Sequence, residues 1–148
     1  MSGDKKEEIV VRANTNSLIS ELLEERKQVW GLYCKVSGIE DAPKAVTIEK
    51  LLQEFCQMTV DYISLGHFGI YQRILDGSER RKSVVDAAEQ IYPMISKATE
   101  VVLDFNDKYQ SVTPAMIVHD LSTDLSNVGE QLANRIEWED KLIGEMLA

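Results

Sequence analysis

Four side chains in this sequence are of the types from which metal sites and nucleophiles are usually built: Cys34, Cys56, His67 and His119. Their spacing builds neither. No His belongs to an HExxH helix, and the two Cys lack the CxxC spacing of a zinc or redox site. A di-iron carboxylate bundle would need a Glu three residues ahead of its His, but Ser64 precedes His67 and Met116 precedes His119 at that distance. The GxGxxG and GxxxxGK[ST] cradles for nucleotides and the GxSxG nucleophile elbow are absent. Cys34 and Cys56 sit inside apolar helical patterns and read as small buried hydrophobes. The sequence therefore assigns no catalytic residue, no metal and no cofactor.

Recognition chemistry is more legible, and it concentrates in Phe55–Leu75, FCQMTVDYISLGHFGIYQRIL. Turned about 100° per residue as a helix, this stretch gathers Phe55, Thr59, Tyr62, Ile63, Gly66, Ile70 and Arg73 on one side. Apart from Arg73 that is a core face. Gln57, Asp61, Ser64, Phe68, Tyr71 and Leu75 fall opposite. Aromatic anchors beside a charged, hydrogen-bonding side chain are how protein interfaces concentrate their energy. The alternative is a central helix packed on both sides, with Asp61 paired internally to Arg26 or Lys27. Gly66 and Gly69 each cost a helix interior roughly 1 kcal/mol relative to Ala. Close approach of a neighbour or a local kink would account for them.

The elements that must hold this segment are helical throughout. Residues 1–12 are expected as a flexible N-terminal tail, and 13–148 as a single helical-bundle domain. The first helix is expected to start near Asn14–Ser17, which offers N-cap side chains. It carries Leu18, Leu22, Val29, Leu32, Tyr33 and Val36 at helical spacing and stops at Gly38. Glu40–Val46, with Pro43, reads as a loop. Thr47 caps a second helix reaching Leu75, with Glu49 in its first turn, and Asp76-Gly77-Ser78 ends it. A third runs from Ser78–Ser83 toward Gln110, kinked or broken near Pro93. Ser111–Pro114 is a break. A fourth carries Ile117, Leu121, Leu125, Val128, Leu132, Ile136, Ile143 and Met146. No strand-like alternation appears, so the fold class is all-α, an up-and-down bundle of four main long helices.

Composition agrees with a globular chain: 44% hydrophobic and 28% charged residues, with three Pro and eight Gly in 148. The formal net charge of −9 disfavours direct DNA binding, which needs cations to displace counterions. The same charge attracts a basic protein partner, or simply serves solubility. Met1–Glu8 is charged, with no apolar stretch behind it, and no run approaches the roughly 18 apolar residues of a membrane span. The expected compartment is the cytoplasm, without membrane association.

Val60-Asp61-Tyr62 through Ser64, Gly66-His67-Phe68 and Ile70-Tyr71 to Arg73-Ile74-Leu75 resembles the most characteristic segment of the Rsd/AlgQ family of bacterial anti-sigma factors. Two flanking runs match in the right order. One is Glu25-Arg26-Lys27 through Tyr33 to Gly38-Ile39. The other is Gly129-Glu130 through Arg135 to Glu139-Asp140-Lys141-Leu142-Ile143. The similarity spans about residues 16–147. The resemblance implies an α-helical bundle that binds region 4 of the primary sigma factor, sigma-70. That helix-turn-helix domain reads the −35 promoter element and docks on core RNA polymerase. Its capture would favour alternative sigma factors. The family's sigma-contacting acidic residue falls on Asp61. The partner-binding set is then Gln57, Asp61, Ser64, Phe68, Tyr71, Gln72 and Leu75, with Gln72 standing where the family commonly has Glu. Two other readings stay open, a helical-bundle metal-binding protein or enzyme, and a general adaptor with additional protein partners.

Overall fold

A computed structural model describes the backbone of residues 2–38 and 47–148, and side chains from Thr15 onward within those ranges. The loop expected at Glu40–Val46 lies outside them. The elements are α1 (Ser2–Val36), α2 (Ile48–Gly66), a π turn (His67–Tyr71), α3 (Gln72–Leu75), α4 (Lys82–Tyr109), α5 (Pro114–His119) and α6 (Leu121–Leu147). No strand occurs among the described residues.

The local signals act mostly as their chemistry dictates. The Thr47 hydroxyl accepts from the Lys50 N–H at 3.3 Å and starts α2. Gly38, at φ 81°, takes the left-handed conformation that closes α1, and its N–H returns to the Lys35 carbonyl at 3.2 Å. Two boundaries differ from the sequence reading. First, α1 begins at Ser2 rather than near Asn14–Ser17, so helical backbone extends through the segment set apart as a tail. Lys5, Lys6, Glu7, Glu8, Arg12 and Ala13 are strong helix formers, and their summed preference outweighs the capping tendency of the four polar residues that follow. Second, the last helix is split. Asp120 bends to φ −115° between α5 and α6, and its carboxylate is held by Lys108 Nζ at 3.2 Å. No residue of α5 is buried, so the core does not force it into line with α6. At Pro93, α4 runs on unbroken. The proline is exposed and its missing N–H falls on the solvent side, where water can serve the orphaned carbonyl.

Four long helices pair into two hairpins. Along α1 and α2, Tyr33 meets Phe55 (ring centroids 6.0 Å apart), while Leu22 lies against Gly66, so the two run antiparallel. Along α4 and α6, Tyr109 bonds Asp124, Thr99 bonds Arg135 and Arg81 bonds the Met146 carbonyl, again antiparallel. The hairpins close on a common core in which Phe55 meets Phe105 edge-on at 5.8 Å, and Phe105 packs on Tyr109 at 4.5 Å. Gly129 permits the closest approach. The Tyr33 ring lies where a side chain at 129 would be, and its hydroxyl donates to the Leu125 carbonyl at 3.0 Å. Trp30, about a third exposed, stacks on Tyr33 at 5.1 Å.

Candidate protein-binding site

Glu139 organises the interior behind the face that carries Asp61 and Phe68. On α6, Leu132, Arg135, Glu139, Leu142 and Met146 are all buried. Their steps of three and four residues put an Arg–Glu pair into an otherwise apolar stripe. Glu139 Oε1 accepts from the Tyr62 hydroxyl at 2.6 Å and from Arg26 Nη1 at 3.3 Å. Its Oε2 accepts from the Tyr71 hydroxyl at 2.8 Å. Arg135 lies over the Tyr62 ring at 5.1 Å and donates to the Thr99 hydroxyl at 2.5 Å. Its Nε stands 3.8 Å from Glu139 Oε2, so the pair attracts through charge without a hydrogen bond. Burial, then the negative Glu139 beside them, pushes both phenols far above the ordinary tyrosine range. They act as donors only.

The outward face is set by the π turn. Ordinary α periodicity puts Tyr71 outside and Arg73 in the core. In the structure Tyr71 is 3% exposed and Ile74 is buried, while Arg73 is half-buried. The reason is the wide turn at His67–Tyr71, where the Gln72 N–H bonds the His67 carbonyl in an i→i+5 pattern. One added residue rotates everything after it by about one residue's angle. Ile74 replaces Arg73 in the core, and Tyr71 swings inward to Glu139. Tyr71 is therefore corrected from surface contact to buried ligand of Glu139. Gly66 fits the crowding expected of it: a Cβ there would lie 3.2 Å from both Arg135 Nη2 and Tyr71 Cε2.

The other residues of the set reach solvent. Gln57, Asp61 and Gln72 are exposed and Ser64 is half-buried. Phe68 is 65% and Leu75 50% exposed, with the His67 ring edge-on to Phe68 at 4.9 Å. Asp61 accepts one side-chain hydrogen bond, from Gln57 Nε2 at 3.2 Å. The internal pairing with Arg26 does not occur, because Arg26 is drawn to Asp140 at 2.7 Å and to Glu139. Beside Asp61 lies Glu25 on α1, one oxygen of which is buried without a hydrogen-bond donor. Burial first, then Glu21 and Asp61, raises the Glu25 carboxyl above its usual range. Toward the start of α2 the face continues into an open groove of about 540 Å³ between α1 and α2, whose lining includes Lys27, Leu32, Glu54, Gln57 and Met58.

Among the described residues, no three His, Cys, Asp or Glu side chains stand together as they would to hold a metal ion. Burial pushes the Cys56 thiol up to about 11, so it is protonated at neutral pH. No described helix is long and apolar enough to cross a membrane. Arg26, Arg135 and Glu139 were missed by sequence reasoning as organisers of the site. For Arg135 and Glu139 a signal was present, two opposite charges four residues apart on the apolar face of the last helix.

Fold and surface define a class first: an all-α bundle exposing a carboxylate and an aromatic ring on one helix face, backed by a buried ion pair. The sequence pattern of the family described as "Regulator of RNA polymerase sigma(70) subunit, Rsd/AlgQ" matches residues 5–147. The chain belongs to that family. A "Regulator of sigma D" from Yersinia enterocolitica is 37% identical over 136 residues, 87% of this chain and 80% of its own. Proteins of the same name from Salmonella arizonae and Shigella dysenteriae are each 36% identical over 135 residues, 87% of this chain. The alignments span 81% and 83% of those relatives.

Proposed function

We propose that this protein is an anti-sigma factor. It binds region 4 of the primary sigma factor, sigma-70, and keeps that region from core RNA polymerase and from the −35 promoter element. Membership of the Rsd/AlgQ family and the names of its relatives support the sigma partner. The observation that carries the region 4 reading is Asp61, exposed and bonded among the described side chains to Gln57 alone, on the face that also exposes Phe68. A carboxylate paired with no cation among the described residues, beside an apolar anchor able to exclude water, suits an Arg or Lys of a DNA-binding surface. The net charge of −9 favours encounter with such a basic surface and disfavours DNA itself. In this reading the chain acts stoichiometrically in the cytoplasm as one bundle domain and catalyses nothing. Titration of purified sigma region 4 with the wild-type chain and with Asp61→Asn tests it. A complex weakened by the substitution supports the reading, and equal binding by both proteins overturns the role of Asp61.

A further inference from the structure

We propose that Tyr71 and Glu139 are positioning residues for the partner-binding face: their hydrogen bond holds the π turn that presents Phe68 to solvent at a fixed offset from Asp61. The inference rests on the reading of that face as the region 4 site.

A π turn is a rare departure from the α-helix and needs something to select it. Here the selection comes from the interior. Tyr71 reaches Glu139 Oε2 at 2.8 Å only because the wide turn rotates it inward. Glu139 cannot follow a displaced tyrosine, because Tyr62 of α2 and Arg26 of α1 hold its other oxygen. The Tyr71 ring folds back to within contact of Gly66, the residue just before the turn, and Arg135 fills the remaining space there. Two buried side chains on a distant helix thus fix the geometry of five residues on the surface helix.

The consequence divides the face in two. Gln57, Asp61 and Ser64 precede the turn and keep ordinary α geometry. Phe68 lies inside the turn, and Gln72 and Leu75 follow it. Relaxation of the turn toward α geometry moves Phe68 and Leu75 relative to Asp61 and leaves Asp61 in place. A partner that grips both the carboxylate and the anchor needs that offset set before it arrives, because ordering it on binding would lower affinity.

Tyr71→Phe keeps the ring in the core and deletes only the hydroxyl. It is titrated with purified sigma region 4 alone, in the Phe68→Ala background and in the Asp61→Asn background, with amide hydrogen exchange followed in the free proteins. The expected result is a folded protein that binds about tenfold more weakly, the scale of one lost buried hydrogen bond. Amides 67–72 should exchange faster than in the wild type, while those of α2 keep their wild-type rates. The tenfold penalty should vanish in the Phe68→Ala background and persist in the Asp61→Asn background. Wild-type affinity in Tyr71→Phe, or an equal penalty in both backgrounds, overturns the positioning role, since a merely structural effect would not single out Phe68. Should Tyr71→Phe not fold, Glu139→Gln is read by the same comparison. Failure of the wild-type chain to bind region 4 would instead overturn the functional reading on which the inference rests.

Discussion

Replacing Glu139 by Ala removes one carboxylate and strands four partners. Arg135, 1% exposed, loses the countercharge 3.8 Å from its Nε. Leaving one member of a buried pair uncompensated costs roughly 3–5 kcal/mol. The Tyr62 and Tyr71 hydroxyls lose their acceptors, at ~1–3 kcal/mol for each buried donor left unsatisfied. Arg26 is hurt least, because it keeps Asp140 at 2.7 Å. These effects share one site and do not add, and water entering the vacated space meets part of each demand. The net expectation is about 4–6 kcal/mol, a large share of the ~5–15 kcal/mol that stabilises a domain. Urea unfolding followed by circular dichroism measures it, with an unchanged denaturant slope showing that stability alone has moved. Glu139→Gln retains an acceptor oxygen and should lose clearly less. A loss below ~1 kcal/mol for Glu139→Ala, the range of an ordinary surface substitution, would refute the buried network as the core's organising feature.

Phe68→Ala should leave the urea midpoint nearly unchanged, because the ring is 65% exposed, yet weaken region 4 binding. A stability loss of ~3–5 kcal/mol, the cost of truncating a core Phe, would contradict its placement. Gly129→Ala should destabilise by ~1–3 kcal/mol through overpacking against the Tyr33 ring, read as a lower urea midpoint. The Asp124 carboxyl is pulled below its usual range, burial opposing and the donors Lys108 and Tyr109 prevailing. A depressed folded pKa contributes stability that is present above the unfolded value and lost as pH falls through the folded one. Acid unfolding below about pH 4 should therefore be shallower in Asp124→Asn than in the wild type, modestly because the side chain is still about 30% exposed.

Much of the bundle could be read from apolar spacing, since Leu22, Phe55, Val102 and Leu132 each lie on a periodic stripe that only a shared core explains. Thr47 and Gly38 announced their boundaries because capping and left-handed closure are local chemistry. The π turn was not legible in this way. It is selected by Glu139, 68 residues beyond Tyr71, and a periodicity argument assumes a constant turn. Its trace was Arg73, the one misfit on the expected core face, together with Gly66 at the point of closest crowding. Asp61, Gln57 and Phe68 were placed correctly on the outer face because they come before the turn or within it. Tyr71 was misplaced because it ends the turn. The start of α1 was misjudged because good cap residues at Asn14–Ser17 are also tolerable inside a helix when good helix formers precede them.

The most direct measurement is the affinity of sigma region 4 for the wild-type chain and for Asp61→Asn, at low and moderate salt, with a thermal melt of each protein. The substitution keeps the side chain's shape and removes its charge. Truncating one partner of a desolvated charge pair costs ~2–5 kcal/mol, so the variant should bind about 30-fold more weakly or worse with its melting temperature unchanged. Equal affinity at both salt concentrations, or a collapsed melting temperature with binding per folded molecule intact, would contradict the central claim.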